Sequence, residues 1–269
     1  MFLGTLAIYI LINVIGFEVP ENLKTPLNIL VAASPAIFWL IFSWWRERFA
    51  LQPREQLLSV AIVAGLAANA IGIPLIDQVL TVERWLPSLD SINRIVGYTF
   101  TVGIVQEILK YVVVRYMAWP QRLRIRADSV AYCAAAAVGY ATVQNLHFVT
   151  QNTATVDITA IRAFNTVSLH VATSLVIAYG LAEIRFSKPF ILLPSLSVGL
   201  AAIIAGFAIP FRAGLSNARL TFGISSTNPI LAFGFSTVVI IILYFVFAFL
   251  FQTADRIERE AVLRIQSEA

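Results

Sequence analysis

Long apolar runs separated by short polar breaks dominate the chain. Runs of about 17 to 25 mainly apolar residues are long enough to cross a bilayer as helices. The pattern predicts eight, at roughly 2–17, 26–45, 57–80, 95–118, 128–150, 159–182, 189–210 and 229–251. Composition then names the solvent. The 269 residues are 59% hydrophobic and 13% charged, with a mean hydropathy of +0.81, whereas a soluble domain carries roughly 25% charged residues. So much apolar surface needs lipid around it. The expected fold is all-α, a polytopic integral membrane helix bundle of about eight transmembrane helices. Residues 1–252 form one transmembrane domain with a motif-bearing core at about 95–183, and 253–269 form a short cytoplasmic tail. The first run lacks a basic n-region and a small-residue cleavage site, so it reads as a retained helix.

Charge orients the bundle. The breaks at 46–56 (Arg46, Arg48, Arg54), 119–127 (Arg122, Arg124, Arg126) and 183–188 (Arg185, Lys188), with Arg256, Arg259 and Arg264 of the tail, hold eleven of the nineteen Lys and Arg. The alternate breaks hold Lys24, Arg84, Arg94, Arg162, Arg212 and Arg219. The positive-inside rule places both termini in the cytoplasm, a parity that eight helices permit. The net charge of +4 fits this asymmetry, and no nucleic-acid partner is expected. In the tail, Asp255 with Arg259 and Arg256 with Glu260 sit at helical spacing, and Ile257, Ala261 and Ile265 share a face, as in an amphipathic surface helix. The stretch 211–229 is rich in Gly, Ser and Asn and suits an external loop or cap. Cys133 reads as a small packing residue. Ala61, Gly65, Ala68 and Gly72 form a small-residue stripe expected to pack within the bundle; homo-oligomerisation stays open.

Polar residues at membrane depth carry the chemistry. Of fifteen acids, only Glu107 falls near the middle of a run. A charge there costs about 2.5–3.5 kcal/mol even on the lenient insertion scale, so it needs a partner or a function. Gly103 and Lys110 share its stripe, so a buried ion pair that fixes helix packing is one reading. In the next run Tyr140, Gln144 and His147 follow one face at i, i+4 and i+7, with Asn145 beside them. The run after that carries His170, with Thr166 and Thr173 on its face. Three successive helices with polar stripes at similar depth favour a shared site over three separate packing contacts. Such groups can activate a water and stabilise an oxyanion, or relay protons in a transporter. Two histidines and one glutamate could form a zinc triad, but no HExxH or comparable spacing is present. No metal and no other cofactor is expected.

The order and spacing of these residues resemble the PrsW-type intramembrane proteases, relatives of the CAAX prenyl endopeptidases and bacteriocin-processing enzymes. The family's EExxK motif reads 106-QEILK-110 here. Its GFAxxEN motif reads 139-GYATVQN-145, on a helix begun by Asp128. Its third motif, a histidine with a glycine about ten positions on, corresponds to His170 and Gly180, preceded by Arg162. The resemblance implies a glutamic-type endopeptidase in which a motif-one glutamate acts as general base on a water. The motif-two residue and the motif-three histidine would hold that water or the oxyanion. It implies Gln106, Glu107, Gln144 and His170 as the catalytic set, with Lys110, Asn145, His147, Tyr140 and Arg162 in support of substrate, oxyanion or structure. The implied partners are the lipid bilayer, expected to be a bacterial cytoplasmic membrane, and single-span membrane proteins such as anti-sigma factors.

Two departures stand in that pattern. Gln106 and Gln144 occupy positions where the family has glutamate, and a carboxamide is no useful base near neutral pH. Three accounts remain open: an engineered inactive form, a natural pseudoprotease that binds transmembrane helices as a scaffold, or catalysis by Glu107 with His170 alone. A transporter is disfavoured because the sequence has no similar halves or matching broken helices.

Overall fold

The computed structural model describes residues 1–48, 53–187, 190, 192–217 and 229–268. Every regular element among them is helical. In chain order they are α1 (Phe2–Asn13), α2 (Glu21–Arg48), α3 (Leu57–Ala67), α4 (Val82–Trp85), α5 (Ser91–Tyr98), α6 (Ile104–Met117), α7 (Arg126–Gln151), α8 (Val156–Phe186), α9 (Leu193–Asn217) and α10 (Pro229–Glu268). Wide π turns prolong α3 at Ala68–Gly72 and Leu75–Val79, and another, Thr99–Gly103, joins α5 to α6.

A helix occupies each of the eight apolar runs, and five segments are long and apolar enough to span a membrane: Glu21–Trp45, Leu57–Ser88, Val156–Phe186, Leu193–Leu215 and Ile230–Thr253. The other three fall short for physical reasons. Helix α1 has only 12 residues, and the α5–α6 and α7 segments are diluted by the polar side chains that mark them as motif carriers. The stretch expected as a loop from 211 begins as helix, since α9 continues to Asn217; residues 218–228 lie outside the described residues. Helix α10 runs unbroken over 40 residues, with no turn between span and tail. The side chains of Asp255, Ile257, Arg259, Glu260, Ala261 and Ile265 lie outside the described ones.

Helix α8 is the axis of the bundle. It packs against α1, α2, α7, α9 and α10, and α7 in turn packs against α2 and α3. In its most apolar window 72% of α8 is buried, against 22% for the α10 segment and 17% for α2. The peripheral helices expose Phe38, Phe42, Trp44, Trp45, Phe245 and Phe249, apolar surface that suits lipid. Helix α7 holds its central place with small residues, for Ala135, Ala136, Ala137 and Ala141 are fully buried. A Cβ on Gly139 would overlap the Ala61 carbonyl, and one on Gly103 would crowd the Ala202 carbonyl. These glycines bring α3 against α7 and the α5–α6 joint against α9. Gly65 also faces Gly139, so the small-residue stripe of α3 packs inside the bundle.

One end of the bundle is an ionic lattice. The buried Asp128 carboxylate accepts from the backbone N–H of Arg124 and Ile125 at 2.8 and 3.0 Å and from Arg54 Nε at 2.8 Å. It caps the first turn of α7, which begins two residues earlier than Asp128 itself. Arg54 also pairs with Glu47 at 2.8 Å, and Arg126 binds Glu183 and the Ser187 hydroxyl. Tyr132 donates to the Glu55 carbonyl at 2.9 Å.

Candidate active site

The motif residues of α6, α7 and α8 meet, but in two layers. In the first, Glu107 and Lys110 stand on successive turns of α6, each 1% exposed, and pair at 2.9 Å. Lys110 Nζ also donates to Thr173 Oγ1 at 3.0 Å and to the His170 carbonyl at 3.3 Å. Its three donors are therefore all engaged, which ties α6 to α8. Tyr140 and Asn145 belong to this layer as well. Tyr140 is completely buried with its ring 5.2 Å from that of His170, and its hydroxyl lies over Gly72. Glu107 Oε2, Tyr140 Oη, both Asn145 amide atoms and His170 Nδ1 are buried without a protein hydrogen-bond partner. Groups of that kind cost about 1–3 kcal/mol each unless water reaches them.

The second layer is a cavity of about 720 Å³. It opens toward the end of the bundle opposite the ionic lattice, because its α7 residues begin eighteen positions after Arg126, roughly 27 Å along the helix axis. Gln106, Gln144, His147, Arg162, Thr166 and His170 all line it. Glu107, Lys110, Tyr140 and Asn145 do not. Of the two motif-one positions, the amide faces the cavity and the carboxylate lies behind it, bound to lysine.

Gln144 Oε1 lies 2.7 Å from His170 Nε2. An amide oxygen only accepts, so the imidazole donates through Nε2 and keeps its lone pair on Nδ1. Gln144 then has its NH₂ free to donate to a substrate carbonyl or an oxyanion. The arrangement can position and polarise a carbonyl. It supplies no carboxylate base between Gln106 and Gln144.

Three charged residues in these walls escape sequence reasoning: Asp77, Glu83 and Arg212. Asp77 Oδ2 lies 3.3 Å from His147 Nε2, so the cavity does hold one carboxylate–imidazole pair. Asp77 lies in the last turn of its apolar run and Arg212 just follows its own. A charge at a run boundary ordinarily marks a solvated position, so neither stands out along the chain.

These features define a polytopic membrane protein with a polar cavity to which the three motif-bearing helices all contribute. A family model described as PrsW family intramembrane metalloprotease matches residues 52–250, and the chain belongs to that family. No curated protein and no solved structure matches the chain at a significant level.

The family's description names a metal, and the donor set speaks against one. Among the described residues no group of three His, Cys, Asp or Glu side chains is placed to hold an ion. His147, His170 and Glu107 are not gathered into a triad. The Glu107 carboxylate is bound to the Lys110 ammonium, a charge that would repel a dication, and the neighbouring cavity groups are the weakly coordinating amides of Gln106 and Gln144. The residues present do not fit a metal centre of the usual three-ligand kind.

Proposed function

We propose that this protein binds single-span membrane proteins within the bilayer in the manner of an intramembrane endopeptidase, and that its two amides leave it a poor hydrolase. In this reading eight helices cross a cytoplasmic membrane, with both termini on the cytoplasmic side and the cavity toward the outer face. A substrate segment unwinds into the cavity, where Gln106 and Gln144 hold the scissile peptide and His170 orients Gln144. Lys110, Glu107, Tyr140 and Asn145 fix the walls, while His147 and Arg162 meet the substrate nearer the mouth. Anti-sigma-type single-span proteins are the substrate class in view. The observation that carries the reading is that Gln106, Gln144 and His170 share one cavity while Glu107 is engaged behind it by Lys110.

In a family glutamic mechanism a carboxylate takes a proton from water as the oxygen attacks the carbonyl carbon, and returns it to the leaving amine. An amide cannot take that proton, so substrate retention survives and turnover falls by about 10²–10⁴-fold. The test pairs a single-span substrate with the chain and with its Gln106→Glu, Gln144→Glu variant in the same bilayer. Cleavage by the variant, with only retention by the parent chain, is expected. Equal retention with cleavage by neither would make the protein a scaffold. A chelator arm belongs to the assay: loss of the variant's cleavage with EDTA, restored by zinc, would assign the restored carboxylates to a metal.

A second reading rests on the Asp77–His147 pair at 3.3 Å. If the chain cleaves as written, this is the carboxylate–imidazole pair in the cavity walls that can serve as base. Asp77→Asn and His147→Gln should then abolish cleavage while Glu107→Gln leaves it in place.

A further inference from the structure

Two arginines in the cavity walls have no ion-pair partner among the described residues. Arg162, on α8, lays its guanidinium over the Phe148 ring at 3.9 Å. Arg212, on α9, donates from Nη1 to the Asn165 carbonyl at 2.9 Å. Asn165 is three residues beyond Arg162 on α8, so Arg212 reaches the stretch of that helix that carries Arg162, and both arginines line one cavity. Neither lies within ion-pairing distance of a described carboxylate. Glu83 lines the same cavity and acts on Arg162 only from beyond ion-pairing distance, and Asp77 is engaged by His147. Arg162 is exposed to the cavity and Arg212 half-buried in its wall; two like charges facing one cavity repel, and an anion entering it relieves that repulsion. Phe148 and the Asn165 carbonyl hold the two forks ready but bring no negative charge.

We infer that Arg162 and Arg212 form a subsite for a carboxylate of the substrate, and that the protein selects single-span segments with an Asp or Glu beside the bound peptide bond. The inference rests on the cavity being the substrate site. Guanidinium forks match carboxylates through paired, charge-assisted hydrogen bonds. Position sets the register. Phe148, beneath Arg162, is one turn beyond Gln144 on α7, roughly 6 Å along the axis. An extended chain covers that distance in about two residues. The acidic residue therefore lies about two positions to the outer side of the peptide bond that faces Gln144 and His170.

The probe is a dye-labelled Leu/Ala single-span peptide with one Asp near its outer end, compared with its Asn twin. Both are titrated against the full chain in phosphatidylcholine nanodiscs, with binding read by energy transfer. The Asp peptide should bind about tenfold more tightly, equivalent to about 1.4 kcal/mol. Arg162→Gln with Arg212→Gln should erase the preference, Arg162→Lys with Arg212→Lys should keep part of it, and Glu83→Gln should strengthen it. Melting curves of each variant separate lost recognition from lost folding. Equal binding of the two peptides, or a preference that survives the double Gln variant, overturns the inference. So does a site that, in a second set of nanodiscs doped with phosphatidylglycerol, enriches that lipid through both arginines while the two peptides bind alike, since it would then serve a lipid headgroup. Binding is read without cleavage, so a chain that prefers the Asp peptide and never cuts it supports the subsite while sinking the hydrolytic reading.

Discussion

The two ends of the bundle use the same kinds of residue in opposite ways. At the basic end, Asp128 takes three donors, Arg54 bridges Glu47 and Asp128, and Arg126 binds Glu183 and Ser187. Each of these charges has its complement. At the cavity end, Arg162 and Arg212 line the walls without a described carboxylate partner, Gln144 keeps its NH₂ unused, and His170 Nδ1 is buried unbonded. The charges of the lattice are completed by the protein. The incomplete groups gathered at the cavity support the proposed site there independently of motif spacing. The difference also predicts pH behaviour. Burial alone would lower the Arg54 pKa, but hydrogen bonds to Glu47 and Asp128 outweigh it and hold the group above its ordinary value. A raised folded pKa means that Arg54 stabilises the lattice at every pH below its unfolded value, and that this contribution is lost only in strong alkali. Thermal midpoints in detergent should therefore show no arginine-linked step between about pH 6 and 9, well below any arginine titration.

The Glu107–Lys110 pair is where the comparison is easiest to break. It adjoins the cavity, yet its two charges pair with each other as those of the lattice do, so it should behave as structure. Lys110→Met strands a carboxylate that is 1% exposed, and breaking such a pair costs about 3–5 kcal/mol. Detergent unfolding curves should show a larger loss than either Asp128→Ala or Arg162→Gln produces. Glu107→Leu with Lys110→Met should recover most of it, because apolar replacement of a whole buried pair is often nearly neutral. A Lys110→Met protein as stable as the parent would show that Glu107 is not held by its lysine, and would return it to the candidate bases.

Asp128→Ala comes next. It removes the cap of α7 and the partner of Arg54, leaving two backbone N–H groups and one guanidinium to find water. Because Arg54 is partly exposed, solvent recovers some of the loss, and about 2 kcal/mol is expected. Substrate retention should hardly change, since Asp128 and the cavity lie at opposite ends. Loss of binding at unchanged stability would mean that the ends are coupled.

Much of this division was legible in the sequence. A glutamate and a lysine three apart in an apolar run announced the pair, and the polar stripe of α7 announced Gln144 and His147. The all-helical fold and its membrane-length helices followed from hydropathy. What hydropathy could not supply was phase. The wide π turn at Thr99–Gly103 inserts a residue just before 106-QEILK-110, and one extra residue turns a helix by about 100°. Straight-helix counting gave the stripe through Gly103, Glu107 and Lys110 but did not say that Gln106 would face the cavity. Tyr140 shares a face with Gln144 and His147 in sequence, yet Gly72 admits its hydroxyl into the α3 contact, away from the cavity. Asp77, Glu83 and Arg212 join the site only through contacts between distant helices, a relation that no local pattern carries.

The smallest stability effect sharpens the comparison most. Arg162→Gln removes a charge that contributes a cation–π contact with Phe148 at 3.9 Å and no described ion pair. The contact is worth about 0.5–2 kcal/mol, while relief of repulsion from Arg212 and of the charge's own desolvation acts in the opposite direction. The net change should fall within about 0.5 kcal/mol, as for a surface substitution, since Arg162 is exposed to the cavity. Equilibrium unfolding in detergent, run beside Asp128→Ala, measures both on one scale. A loss as large as that of Asp128→Ala would place Arg162 in the scaffold, with an internal partner that satisfies it. A negligible loss, together with weakened binding of an acidic segment, would leave a charge whose complement arrives from outside the protein.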